Sequence, residues 1–130
     1  MPRKILIIDD EPDICAYLAA ALEDAGYSAC ALKEEKPTLA SIAREKPDLV
    51  ILDIMMPGRS GLSIYREMRS APGLAGVPII LVSGIQNARG LVEAEKKRLD
   101  KDPEKGPPEI FVEKPILLPH LLSLVESFLR

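Results

Sequence analysis

Four short apolar runs in this chain each end on a residue that can take part in metal or phosphate chemistry. The residues at these ends are Asp9-Asp10, Asp53, Ser83 and Lys114. Unbroken runs of Ile, Val and Leu of this length are typical of strands buried on both faces, as in a parallel sheet. Because ligands of open parallel sheets bind beyond the carboxyl ends of the strands, we expect these side chains to meet at one edge.

The three aspartates are the sharpest feature of the sequence. If the first and third strands are neighbours, their carboxylates repel one another by about 4 kcal/mol per pair at a separation of about 4 Å. A hard divalent cation would relieve that repulsion, and Mg²⁺ is commonly held by one or two carboxylates with water and substrate phosphate. Alternatively, Asp9-Asp10-Glu11 only caps the following helix. That alternative accounts for one aspartate and leaves Asp53 unexplained.

Ser83 and Lys114 complete a set of residues suited to phosphoryl transfer. A lysine at an acidic pocket pairs with a carboxylate or a phosphoryl oxygen, and a serine hydroxyl donates to another such oxygen. A carboxylate can act as the nucleophile and form an aspartyl phosphate. Asp53 is the best-placed candidate, because its strand is expected to be central and it precedes a Met-Pro-Gly turn.

Strand and helix patterns alternate five times along the chain. The predicted strands are 4–9, 28–32, 48–53, 78–82 and 109–113, and the predicted helices are about 12–25, 37–45, 61–70, 87–100 and 117–129. Right-handed crossovers between parallel strands place helices on both faces of the sheet. The sequence therefore predicts a three-layer, doubly wound (βα)5 α/β sandwich with a five-stranded parallel sheet.

Length and composition bound the function further. The 130 residues suit one domain, 1–130, and the formal charge of −3 with no basic stripe argues against nucleic acid and membrane partners. Cys15 and Cys30 lack a CxxC spacing, and neither a signal peptide nor a membrane-spanning run is evident. We therefore expect a cytoplasmic protein with two reduced thiols.

Taken together, these motifs resemble the receiver domain of two-component response regulators. The resemblance covers essentially the whole chain. It is carried by Asp9-Asp10-Glu11, the stretch 47–57 (PDLVILDIMMP) with Gly61, then Ser83, and finally Lys114-Pro115.

The resemblance implies a fold, a reaction and a metal. The fold would be flavodoxin-like, with strand order 2-1-3-4-5, and Asp53 would accept a phosphoryl group from a phosphohistidine. The donor would be a sensor histidine kinase or a histidine phosphotransfer protein. Mg²⁺ would be held by Asp10, Asp53 and the backbone carbonyl of Met55, with Asp9 acting through water. The domain would not be an enzyme beyond self-catalysed phosphotransfer and autodephosphorylation.

The resemblance also assigns the switch. Ser83 would move onto the phosphoryl group, Lys114 would be its counter-charge, and the Lys114-Pro115 bond would be cis. Phe111 stands where the family has an aromatic rotamer switch, although an ordinary apolar strand residue is an equal alternative. Phosphorylation would shift the surface formed by the last strand and its flanking helices, so that it binds an unknown downstream protein.

Two features depart from the family pattern. Ser83 and Lys114 are 31 positions apart, longer than usual, and the extra residues fall in Gly90–Pro108. This insertion is either an altered binding face or a tolerated solvent-exposed loop. The sequence also ends with the last helix, so we expect a stand-alone receiver. We expect His120, on that helix, to be a surface residue.

Three competing interpretations differ in testable ways. A phosphorylation-independent pseudo-receiver acting as a protein-binding module would not need the acidic cluster. A phosphatase with an aspartate nucleophile would use Asp-x-Asp, which Asp9-Asp10-Glu11-Pro12 does not provide. A flavodoxin-like cofactor site is disfavoured because an acidic first loop repels phosphate.

Overall fold

The computed structural model describes residues 2–32, 38–54, 61–84 and 109–129, with the side chains of 109–111 excepted. The strands are β1 (Lys4–Ile8), β2 (Ser28–Ala31), β3 (Leu49–Asp53), β4 (Ile79–Ser83) and β5 (Glu109–Glu113). The helices in these ranges are α1 (Pro12–Asp24), α2 (Leu39–Glu45), α3 (Gly61–Ser70) and α4 (Leu118–Leu129). The helix predicted at 87–100 and the whole of the insertion Gly90–Pro108 lie outside the described residues.

The sheet has five parallel strands in the order β2-β1-β3-β4-β5. This order confirms the predicted doubly wound architecture and places β3 at the centre. Ile8 is level with Leu52, and Asp53 is level with Val82. The strand ends that carry Asp9, Asp53 and Ser83 therefore lie side by side at the carboxyl edge of the sheet.

Alternation along the strands divides the core into two layers. On one face, α2 and α3 cover Leu6, Ile8, Val50, Leu52 and Leu81. On the other face, α1 and α4 cover the intervening residues, which are Ile5, Ile7, Ile51, Ile80 and Val82. Because successive strand side chains point to opposite faces, unbroken apolar runs are what a sheet covered on both sides requires. Among the described helices, none has the length and apolar character needed to span a membrane.

Local signals set most helix ends close to their predicted places. Pro12 is at the start of α1, where its missing N–H costs nothing. The second helix begins two residues later than predicted, because Thr38 and Ser41 cap it reciprocally. Ser83, predicted to follow β4, is its last residue. These shifts are within two residues and do not change the topology.

Gly26 ends α1 in a left-handed conformation, with φ of 98°. The N–H of Tyr27 donates to the carbonyl of Leu22 at 3.0 Å, and the N–H of Gly26 donates to that of Glu23 at 3.0 Å. This pair of bonds is the Schellman pattern, which satisfies carbonyls left over at the end of the helix. The turn directs the chain into β2, beside β1.

We expect Gly26→Ala to lower the free energy of unfolding by about 1–2 kcal/mol, since a Cβ disfavours positive φ by about that amount. An added Cβ at Gly26 has no atom within 4 Å, so the cost is conformational and not steric. Gly76 has equally open space without a left-handed φ. Gly76→Ala is therefore the matched control and should be neutral or slightly stabilising. Urea unfolding of both variants checks this, and equal destabilisation would contradict it.

Candidate functional site

The carboxylates of Asp9, Asp10 and Asp53 converge at the carboxyl edge of the sheet. One oxygen from each lies within 4.8 Å of those from the other two. Asp53 is buried, with 3% of its side chain exposed, whereas Asp10 is exposed. The convergence follows from the pairing of β1 with β3, which brings two strand ends together.

The turn after β1 lets two consecutive residues face the same point. Successive residues of a regular strand would place their side chains on opposite faces. Here β1 ends at Ile8, and the N–H of Glu11 donates to Oδ1 of Asp9 at 2.9 Å. The regular strand thus ends before Asp9, and both Asp9 and Asp10 contribute to the acidic group.

Lys114 supplies the positive charge of the site. Its Nζ lies 3.4 Å from Oδ2 of Asp53, 3.6 Å from Oδ2 of Asp9 and 3.9 Å from Oε1 of Glu11. Partial burial acts to lower the pKa of Lys114, but the neighbouring charges of Asp53, Asp9 and Glu11 outweigh it and raise this pKa above its ordinary value. The side chain is therefore a fully charged ammonium at neutral pH.

The backbone fixes Lys114 relative to Ser83. The N–H of Lys114 donates to the carbonyl of Ser83 at 2.9 Å, which continues the β4–β5 ladder by one bond. The Lys114-Pro115 bond is cis, as the resemblance implied. Ser83 itself is fully buried at the end of β4, one position beyond the residue level with Asp53.

Cys15, in the first turns of α1, contacts the backbone of Asp9, one of the three acidic residues. Its Sγ is 3.5 Å from the carbonyl oxygen of Asp9 in donor geometry, and the residue is 7% exposed. Burial raises the pKa of the Cys15 thiol, and the charges of Asp9, Asp10 and Asp53 raise it further. The thiol is therefore protonated at neutral pH and has a hydrogen to donate.

Gly61 packs against the backbone of Asp53 from the start of α3. The N–H of Gly61 donates to the carbonyl of Ile54 at 2.8 Å. A Cβ at Gly61 would overlap the carbonyl oxygen of Asp53 and lie 2.7 Å from Cα of Ile54. Only glycine allows this approach, so Gly61 helps to set the position of the Asp53 backbone.

The donor set fits a divalent cation. Three carboxylates and one ammonium leave two negative charges uncompensated among Asp9, Asp10, Asp53 and Lys114. Two oxygens bound to one Mg²⁺ are at most about 4.2 Å apart, which is twice the Mg–O distance. Oxygens within 4.8 Å of one another need only small rotations to share such an ion, and the exposed side chain of Asp10 is free of the packing that would oppose them.

The structure thus brings together five of the residues that the sequence singled out at this edge: Asp9, Asp10, Asp53, Ser83 and Lys114. Met55 and the side chain of Phe111 lie outside the described residues, so their predicted roles stay predictions. Sequence reasoning did not foresee the approach of Glu11 to Lys114 or that of Cys15 to the Asp9 carbonyl. The spacing of Cys15 on the buried stripe of α1, with Leu18 and Leu22, was the available signal.

Comparisons with known proteins agree with this geometry. The family model described as "Response regulator receiver domain" matches residues 5–106. The chain belongs to the response regulator receiver domain family. Protein Rrf1 of Nitratidesulfovibrio vulgaris is 35% identical over 101 residues, which is 78% of this chain and 73% of Rrf1. This receiver domain is therefore part of the two-component systems, in which such domains interact with histidine kinases and downstream effectors.

A longer relative and a solved structure extend the comparison. The transcriptional regulatory protein CusR of Escherichia coli is 33% identical over 127 residues, covering 98% of this chain. This chain spans 51%, about half, of the length of CusR. The chemotaxis protein CheY4 of Vibrio cholerae superimposes with a TM-score of 0.80, over 98% of this chain and 99% of CheY4, at 21% identity. That likeness supports the fold, including β5 and α4, which the family model does not match.

Asp10→Asn should stabilise the protein in the presence of a chelator, because it removes one of three mutually repelling charges. In excess Mg²⁺ the order of the melting temperatures should reverse, because the ion stabilises the wild type more than it stabilises the variant. Melting temperatures across a Mg²⁺ series measure both effects. Asp13→Asn is the control, because Asp13 lies in the first turn of α1, outside the acidic group, and should respond to Mg²⁺ like the wild type. Equal Mg²⁺ shifts in all three proteins would count against a metal site built on Asp10.

Gly61→Ala should destabilise the protein by about 1–3 kcal/mol, the usual cost of forcing an extra methyl into a packed region. The added methyl group would displace the backbone of Asp53, which belongs to the acidic group. Mg²⁺ should therefore also stabilise this variant less than the wild type. Gly84→Ala is the matched control, because its Cβ would meet Lys114 Cβ at an ordinary 3.8 Å. Denaturant unfolding with and without Mg²⁺ distinguishes the two variants. If Gly61→Ala is as stable as the wild type, the close approach of Gly61 to the Asp53 backbone is contradicted.

Proposed function

We propose that this receiver domain is a phosphoacceptor switch of a two-component phosphorelay, with Asp53 as the residue that is phosphorylated. One observation carries the proposal: a buried carboxylate on the central strand lies 3.4 Å from the Lys114 ammonium and within 4.8 Å of two further carboxylates. A structural ion pair would need only one acid for one base. The additional acidic groups are accounted for by a cation that accompanies a phosphoryl group.

The proposed donor is a phosphohistidine of a sensor histidine kinase or of a histidine phosphotransfer protein. A carboxylate oxygen of Asp53 forms a bond to phosphorus as the bond from phosphorus to the imidazole nitrogen breaks. That nitrogen keeps the electron pair of the broken bond and takes a proton from solvent. Lys114 neutralises the charge that develops on the transferring oxygens, so catalysis consists of position and charge.

Mg²⁺ is the proposed cofactor. Asp10 and Asp53 would hold it, with the backbone carbonyl of Met55 as a further ligand and Asp9 acting through water. When bound, the ion supplies positive charge to the phosphoryl oxygens. The protein's own contribution is a fixed set of oxygens whose excess of two negative charges matches a divalent cation.

The proposed output is a population shift at the surface around β5. A phosphoryl group on Asp53 offers new partners to Lys114 and to the hydroxyl of Ser83. Because the backbones of these two residues are hydrogen-bonded to each other, both rearrangements act on the same pair of strands. Phe111 lies in β5 and is the proposed aromatic reporter of that change, and a downstream protein is the proposed reader.

The location and the catalytic status follow from this proposal. The domain acts in the cytoplasm, where Cys15 and Cys30, both free thiols, would stay reduced. It is not an enzyme acting on a separate substrate, since the group that it receives becomes attached to its own side chain.

Incubation with Mg²⁺ and acetyl phosphate, a small phosphodonor, should add one phosphoryl group to the wild type, measured by intact mass. Asp53→Asn should abolish the adduct, because an amide is too weak a nucleophile. Asp48→Asn is the matched control, since Asp48 directly precedes the same strand and accepts from the N–H of Lys4 at the opposite edge of the sheet. This control should still be modified.

The absence of an adduct on the wild type would favour the phosphorylation-independent binding module. An adduct that persists in Asp53→Asn would place the acceptor at another residue. Chelation of divalent cations should prevent modification of the wild type and of Asp48→Asn alike.

A further inference from the structure

The turn between β1 and α1 must be held in one conformation for the acidic group to form. Asp9 and Asp10 are consecutive, so the peptide that joins them decides whether both carboxylates face the same point. The carbonyl oxygen of that peptide is the oxygen of Asp9, which lies 3.5 Å from Sγ of Cys15. A backbone carbonyl in a partly buried turn needs a hydrogen-bond donor, and this thiol is in place to be one.

The position of Cys15 in α1 gives this contact its rigidity. The N–H of Cys15 donates to the carbonyl of Glu11 at 3.1 Å, as the first hydrogen bond of the helix. Its side chain packs in the layer that contains Ile7, Leu18 and Val82. The thiol is thus attached to a helix that is itself anchored on the sheet. Its bond to Asp9 ties the turn to the rigid part of the fold.

Two roles are open to such a buried cysteine. If it only fills space, an apolar side chain of similar volume serves equally well and a hydroxyl is unwelcome in the core. If it acts as a donor, a hydroxyl replaces it and an apolar side chain does not. The contact with the Asp9 carbonyl favours the donor, because a residue that only fills space has no reason to aim its sulfur at a carbonyl oxygen.

We propose that Cys15 is a positioning residue for the metal site: its S–H group holds the carbonyl of Asp9 and so fixes the peptide that presents Asp9 and Asp10 to a shared cation. The inference rests on the proposed function, since it concerns the cation that accompanies phosphorylation of Asp53. It adds a residue that touches neither the cation nor the phosphoryl group. Outer residues that orient metal ligands commonly change affinity about 10–100-fold when replaced.

The test compares Cys15→Ser, which keeps a donor, with Cys15→Val, which keeps the volume without a donor. Isothermal titration calorimetry with Mg²⁺ alone measures the dissociation constant of each. We expect Cys15→Ser to bind within about twofold of the wild type, and Cys15→Val to bind roughly threefold to tenfold more weakly, because a thiol donor is weaker than most outer-sphere groups. Cys15→Ala removes the donor without a β-branched side chain and should weaken binding in the same direction.

The other cysteine supplies the matched control. Cys30 lies in β2, where its Sγ is 3.9 Å from Oε2 of Glu45, a carboxylate that is not part of the acidic group. Cys30→Val should leave the dissociation constant unchanged. Amide hydrogen exchange at Glu11, whose N–H is bonded to Asp9, reports the conformation of the turn without any ion and should accelerate only in Cys15→Val and Cys15→Ala.

A folded Cys15→Val or Cys15→Ala that binds Mg²⁺ as tightly as the wild type would overturn the inference. So would weakened binding by Cys15→Ser alone, which is the signature of a space-filling role. These results leave the proposed function intact, provided that the wild type binds Mg²⁺ and is phosphorylated. If the wild type does neither, the proposed function fails and the inference fails with it.

Discussion

Mutual repulsion among three carboxylates is the constraint on which this structure depends. Asp9, Asp10 and Asp53 would separate if their backbones allowed it, and one ammonium offsets only part of their charge. The pairing of β1 with β3 prevents that separation, because the two strands are buried on both faces between pairs of helices. The sheet thus supplies the rigidity that a site of like charges requires.

The elements around the site serve the same purpose. Gly61 allows α3 to approach the Asp53 backbone so closely that a methyl group would collide with it. The bond from the Lys114 N–H to the Ser83 carbonyl extends the ladder just far enough to bring the ammonium over the carboxylates. Each contact involves the main chain. Each therefore fixes the backbone position of a charged residue but leaves its charged group able to move.

The sequence predicted the parts of this site that depend on contiguous residues and strand order, but not the parts that depend on the exact geometry of one turn. Buried strands are encoded in contiguous residues, and parallel order places their ends at one edge, so the convergence of Asp53, Ser83 and Lys114 could be predicted. The proximity of Glu11 to Lys114 and of Cys15 to Asp9 could not, because both depend on the dihedral angles of one short turn. The start of α2 was misplaced for a similar reason, since the capping pair of Thr38 and Ser41 is weak as a sequence signal.

The placement of Lys114 explains how a local charge could reach a distant surface in the proposed function. In the unmodified protein this ammonium is shared among Asp53, Asp9 and Glu11, at distances of 3.4 to 3.9 Å. A phosphoryl group carries about −1.5 to −2 charges at neutral pH, so its oxygens would outcompete carboxylates that a divalent cation already neutralises. In the proposed switch, withdrawal of Lys114 from Glu11 would act on the end of β5, because Lys114 directly follows that strand and its N–H extends the ladder to Ser83. Because β5 is an edge strand with one neighbour and β3 is central with two, β5 would shift at a smaller cost in broken strand contacts, and we therefore propose β5 as the element that reports the charge.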